Sequence, residues 1–238
     1  MLPIGDENIK GQGLAFVTIS FIALNILAFF LEINQPSEAA LQAFVEAWGV
    51  VPREYTDGVD LPPLIDMPVW STLLTSMFLH GGWGHLLGNM LFLWVFGDNV
   101  EHRIGHGRFL VFYLATGIAA ALAHIFFNAN SMIPTVGASG AISGVLGGYL
   151  LMFPRNKVYV LTWGGVAAVP AIFMLGLWIL MQFINGFGSI AVTPETGEGA
   201  SGGVAYLAHI GGFIAGMILA PLMGLGRGAE PGIQTRGR

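Results

Sequence analysis

Four polar residues stand inside otherwise apolar stretches of this chain: His85, Asn89, Ser139 and His209. A serine hydroxyl beside an imidazole is the minimum needed for nucleophilic acyl transfer. The imidazole takes the hydroxyl proton as the oxygen attacks a carbonyl, then gives it to the leaving group. The tetrahedral intermediate carries an oxyanion, which needs donors aimed at it. His85 and Asn89 are four residues apart and so share one face of a helix. Ser139 sits in Gly137-Ala138-Ser139-Gly140, whose glycines let another backbone come close and leave the hydroxyl uncrowded. A helix opening at Ser139 would add unpaired N–H groups and the positive end of its dipole.

The elements that must position these residues are membrane helices. Of 238 residues 54% are hydrophobic and only 10% charged, with mean hydropathy +0.70. Soluble domains carry about a quarter charged residues. The expected fold is all-α: a polytopic bundle of six spans, near 14–31, 84–101, 108–128, 139–153, 168–187 and 204–224, with Pro170 in the first turn of the fifth. The first run is longer than the apolar core of a signal peptide and is expected to remain as a span. Residues 1–226 form one membrane domain in this reading, and 227–238 a short charged tail.

Charge tests this topology, because Lys and Arg favour the cytoplasmic side. With the N-terminus inside, the inner segments hold Lys10, Arg103, Arg108, Arg155, Lys157, Arg227, Arg236 and Arg238, and the outer ones only Arg53. Both termini are then cytoplasmic. The second, fourth and sixth spans run inward, so His85, Asn89, Ser139 and His209 share one depth near the outer face. The long outer connection from Glu32 to Trp83 is rich in Pro and acidic residues, yet apolar enough to pack on itself or at the membrane interface. Small residues line the fourth span (Gly140, Ser143, Gly144, Gly147) and the sixth (Gly211, Gly212, Gly216), so these two can touch. The formal charge of −5 argues against nucleic acid, and the absence of cysteine excludes thiolate metal sites and a cysteine nucleophile.

Each polar residue also has an ordinary structural reading. Serine is common in membrane helices, glycine faces usually serve packing, and His85, Asn89 and His209 can bond across helices. Convergence at one depth on alternate helices weighs toward chemistry.

The motifs themselves resemble the rhomboid intramembrane proteases. Thr75–Gly97 (TSMFLHGGWGHLLGNMLFLWVFG) is similar to their second-helix signature. Gly137–Gly140 matches their G-x-S-G motif, and Ala208-His209-Ile210-Gly211-Gly212 their final histidine motif. Glu101–Phe109, with Gly105 and Arg108, resembles their second-to-third-helix connection. The resemblance implies a bacterial-type six-helix core in an inner (plasma) membrane. It implies a Ser139–His209 dyad, and an oxyanion hole of His85, Asn89 and the Ser139 N–H. It also implies transmembrane protein substrates and no metal or cofactor. Ser143 stands where many relatives place an aromatic ring against the histidine, with Tyr206 as a candidate replacement. Trp70-Ser71 stands where relatives show Trp-Arg.

Rival classes fit less well. There is no H-E-x-x-H, Asp98 has no second intramembrane aspartate, and the inner halves of the spans lack the polar path of a transporter. A catalytically inactive rhomboid-like protein that binds membrane helices is the alternative. Substrate entry is expected past the fifth span or the cap after it, where Gly186, Gly188, Gly197, Gly199, Gly202 and Gly203 lie. The residues carry no signal for oligomeric state.

Overall fold

The computed structural model describes residues 2–7, 13–192 and 205–224, with side chains throughout except over 187–192. The tail at 227–238, Lys10 and the cap glycines Gly197, Gly199, Gly202 and Gly203 lie outside the described residues.

Each of the six apolar stretches contains a long helix. These are α1 (Phe16–Ile33), α5 (Trp83–Ile104), α6 (His106–Phe127), α7 (Ser139–Met152), α8 (Ala171–Val192) and α9 (Tyr206–Gly224). Three of them, α1, α6 and α9, are long and apolar enough to cross a bilayer by length and composition. The connection after α1 is folded. It forms α2 (Glu38–Trp48), α3 (Pro52–Asp57) and α4 (Thr72–Thr75), with 3-10 turns on either side of α4. Ser37 caps α2 by accepting from the Ala40 N–H. The loop is tied to the bundle by a bridge between Val50 and Thr135 and by the Thr75 hydroxyl, which donates to the Trp48 carbonyl at 2.7 Å.

The all-α expectation needs one correction. Strands β1 (Leu2–Asp6), β2 (Lys157–Thr162) and β3 (Gly165–Pro170) form a three-stranded antiparallel sheet in the order β1-β2-β3. Pro170 therefore ends a strand, and the fifth long helix begins at Ala171. The reason is visible in β2, where Val158 and Val160 are fully buried while Lys157, Tyr159 and Leu161 face outward. That two-residue alternation covers the end of the bundle where α7 finishes. Gly165, at φ +108°, makes the turn into β3.

Asp6, at the end of β1, is the contact that ties this sheet to the bundle. It accepts hydrogen bonds from the Tyr149 hydroxyl of α7 and from Asn99 Nδ2 of α5 at 2.7 Å. Burial pushes its carboxyl up to about 6, with Asp98 and Glu7 adding repulsion against the hydrogen bonds that lower it. The folded strand thus binds a proton that the unfolded one, with the ordinary value of 3.8, has already released. The attachment of β1 weakens as pH rises from about 4 through about 6, by about 3 kcal/mol, and levels off above. Amide exchange of residues 2–6 should be slower at pH 5 than at pH 8 after correction for intrinsic rates. Asp6→Asn should remove that difference.

At the start of α1, the buried Glu101 carboxylate of α5 accepts from the Val17 and Thr18 N–H groups (2.9 and 2.7 Å) and from the Thr18 hydroxyl. It satisfies donors that a helix N-terminus cannot satisfy itself. His106 also bonds Glu101, so this histidine does more than face solvent.

The central feature is the contact of α7 with α9. A Cβ at Gly212 would lie 2.1 Å from the Gly140 carbonyl oxygen, and one at Gly216 would lie 2.0 Å from that of Gly144. At Gly147 it would lie 2.2 Å from the Phe213 carbonyl. The paired numbers rise together, so α7 and α9 run parallel with their backbones in contact. Helix α6 packs antiparallel across α7, with Ala120 against Gly140 and Thr116 against Gly144. This layer brings the N-terminal ends of α7 and α9 to the same place. Gly216→Ala forces these backbones apart and should cost about 1–3 kcal/mol, seen as earlier thermal unfolding in detergent. Gly176→Ala, on α8 with nothing within 4 Å of the added carbon, should not.

Candidate active site

Ser139 is the first residue of α7, and His209 lies in the first turn of α9. Parallel packing of the two helices sets Ser139 Oγ 2.8 Å from His209 Nε2. No side chain caps α7, so the first N–H groups of the helix remain available around Ser139. Gly137, just before, is at φ +126° and donates its N–H to the Ser76 carbonyl at 2.8 Å, which fixes the approach of the serine turn.

The histidine is held from its other side by α8. Gln182 Oε1 lies 2.8 Å from His209 Nδ1, and the Trp178 ring lies against the imidazole with centroids 6.0 Å apart and planes 32° apart. Trp178 and Gln182 are one helical turn apart. Neither was singled out by the sequence. The place offered to Tyr206 belongs to these two, and the Tyr206 Cβ stands over Gly186 instead. Ser143 is buried and donates to the Ser139 carbonyl at 2.6 Å, leaving ring contact to Trp178. The missed signal was Gln182 itself, an amide in the apolar run Ala171–Gly186.

His85 and Asn89 both lie on α5. A Cβ on Gly137 would sit 2.8 Å from both His85 Cε1 and Nε2, and 3.6 Å from Ser139 Oγ. The outer edge of the His85 ring therefore borders the serine turn, in space that only glycine leaves. His85 Nδ1 accepts from the Gly81 N–H at 3.4 Å, which leaves Nε2 to carry the proton and act as a donor. Asn89 is buried, and its Nδ2 has no hydrogen-bond partner among the described residues.

His80, between α4 and α5, is fully buried with its ring edge to His85 at 5.1 Å. Its N–H donates to Glu32 at 2.8 Å. Burial, with His85 adding to it, lowers the His80 pKa to about 4, so this ring is neutral. His124, on α6, bonds the Thr135 hydroxyl at 2.7 Å. Behind Ser139 is a cavity of about 30 Å³ bordered by Ser76, His124, Thr135 and Gly140. It is large enough for a water molecule and polar enough to hold one.

An imidazole bonded to a serine hydroxyl, with the edge of a second imidazole bordering the serine turn, can form and resolve an acyl-enzyme. The Rhomboid domain family model matches residues 68–225. The chain is 37% identical over 212 residues to Rhomboid protease GluP of Bacillus subtilis, covering 87% of this chain and 35% of that protein. It is 30% identical over 151 residues to Rhomboid protein 1, mitochondrial, of Saccharomyces cerevisiae, covering 62% of this chain and 40% of the relative. To Rhomboid-like protein 11, chloroplastic, of Arabidopsis thaliana it is 27% identical over 160 residues, covering 66% and 54%. The chain thus spans about a third to a half of the length of these relatives. The matched region runs from before His85 to beyond His209, over helices apolar enough for lipid, and the chain belongs to the rhomboid family of integral membrane proteins.

Proposed function

We propose that this protein is an intramembrane serine endopeptidase that cleaves transmembrane segments of other proteins by a Ser139–His209 dyad. The observation that carries this reading is the 2.8 Å approach of Ser139 Oγ to His209 Nε2, with the far nitrogen of the ring occupied by Gln182. In this mechanism His209 accepts the hydroxyl proton as Ser139 attacks the scissile carbonyl. The oxyanion forms among the His85 Nε2–H, the Asn89 amide and the Ser139 N–H. His209 then protonates the leaving amine, and a water, activated by the same imidazole, hydrolyses the ester. The cavity behind Ser139 is a reservoir for that water.

The topology in this reading has all six long helices crossing the membrane, in a bacterial inner membrane, with both termini cytoplasmic. The connection 34–82 and the dyad then lie toward the outer face, and the sheet at the inner face. A helical substrate hides its carbonyls in its own hydrogen bonds, so it must unwind locally to reach Ser139. Helix-weakening residues near its outer end should make it a better substrate. Entry is past α8. A fluorophosphonate probe on detergent-purified protein is the direct test. Labelling of wild type but not of Ser139→Ala supports the reading, and equal background labelling of folded wild type and variant overturns it in favour of a helix-binding rhomboid-like protein.

A further inference from the structure

We infer that Gln182 is a positioning residue that selects the tautomer and orientation of His209, so that the base is set from α8 and not from the serine helix. The inference rests on the dyad reading above. A neutral imidazole has one N–H and one lone pair, and only the tautomer protonated at Nδ1 leaves Nε2 free to take the Ser139 proton. The opposite tautomer would point an N–H at the serine and could not act as a base. Gln182 Oε1, an acceptor, lies 2.8 Å from Nδ1, and both residues are 8% exposed. Water therefore competes little for either group, and an unpaired Nδ1–H there would be costly.

The neighbouring contacts explain why the task falls to α8. Ser143 has committed its hydroxyl to the Ser139 carbonyl and has no ring to lay on the imidazole. Trp178, one turn before Gln182, covers the ring and also meets Phe213 of α9 at 6.1 Å. The indole restrains the plane of the ring, and the amide fixes its rotation and proton. A neutral acceptor does this without bringing a full charge into an apolar site.

The test uses full-length protein in detergent with three readouts: ¹⁵N NMR of the His209 ring, fluorophosphonate labelling, and cleavage of a model transmembrane substrate. In wild type the ring should carry its proton on Nδ1, and in Gln182→Leu it should become a mixture of tautomers. The Leu variant should lose tenfold or more in labelling rate and kcat, roughly the worth of one buried hydrogen bond plus the wrong tautomer, with KM within about twofold. Gln182→Glu, which keeps an acceptor at the same place, should keep the proton on Nδ1 even where its charge slows the reaction. A wild-type ring protonated on Nε2, a Leu variant with unchanged tautomer and rate, or a Glu variant whose ring has lost its Nδ1 proton would each overturn the inference. The wild-type tautomer needs no variant, so a Leu protein that fails to fold leaves the question decidable. If wild type does not label at all, the protease reading fails, and the NMR result still decides whether Gln182 holds Nδ1–H.

Discussion

Ser139→Ala and His209→Ala should each abolish fluorophosphonate labelling and lower turnover of a transmembrane substrate by about 10⁴–10⁶, and the double variant should be no worse than either single one. The serine supplies the bond-forming oxygen, and the imidazole supplies its activation, so neither works without the other. At 2.8 Å they already form a hydrogen bond, and no rearrangement is needed to start proton transfer. Both substitutions remove side-chain atoms at the mouth of the α7–α9 contact, while the glycine-to-carbonyl contacts that hold these helices lie deeper. Thermal unfolding should therefore change far less than activity. A His209→Ala protein that still labels at the wild-type rate would remove His209 from the mechanism and leave Ser139 activated by something else.

The meeting of Ser139 with His209 was legible in the sequence because two independent patterns met there. The six-span reading puts Ser139 and His209 at one depth on alternate spans, and small residues on those spans allowed backbone contact. The structure resolves that contact to the Gly140–Gly212 and Gly144–Gly216 pairs. Gln182 is open to the same depth argument, since the six-span reading runs the fifth span outward and the residue lies late in it. The sheet was hidden for a different reason. The sequence reading leaves residues 154–167 as an inner segment and starts a span at 168, because the alternation of Val158 and Val160 with outward residues is short enough to merge with the apolar helix that follows. Strand β1 was harder still, because its pairing with β2 joins residues more than 150 apart, and no local pattern in Leu2–Asp6 announces its partner.

Asn89→Ala should lower kcat by about 10²–10³ and leave KM for a transmembrane substrate nearly unchanged, the pattern of a donor used only in the transition state. Asn89 is buried on α5, and its Nδ2 is without a partner among the described residues. Leaving a buried amide donor unsatisfied costs about 1–3 kcal/mol, and proteins seldom carry that cost without use. The neighbouring donor, His85, is arranged the same way. Its Nδ1 is occupied by Gly81, its protonated edge borders Gly137, and no side chain is possible there without displacing the ring. Asn89 is one helical turn from His85 on the same face of α5, and the proposed mechanism uses both as donors to the oxyanion. Because the unpaired amide costs stability in the resting protein, Asn89→Leu should unfold at the same or a higher temperature than wild type while losing activity. A loss of stability together with unchanged kcat would make Asn89 a structural residue and leave the oxyanion to His85 and the N-terminus of α7.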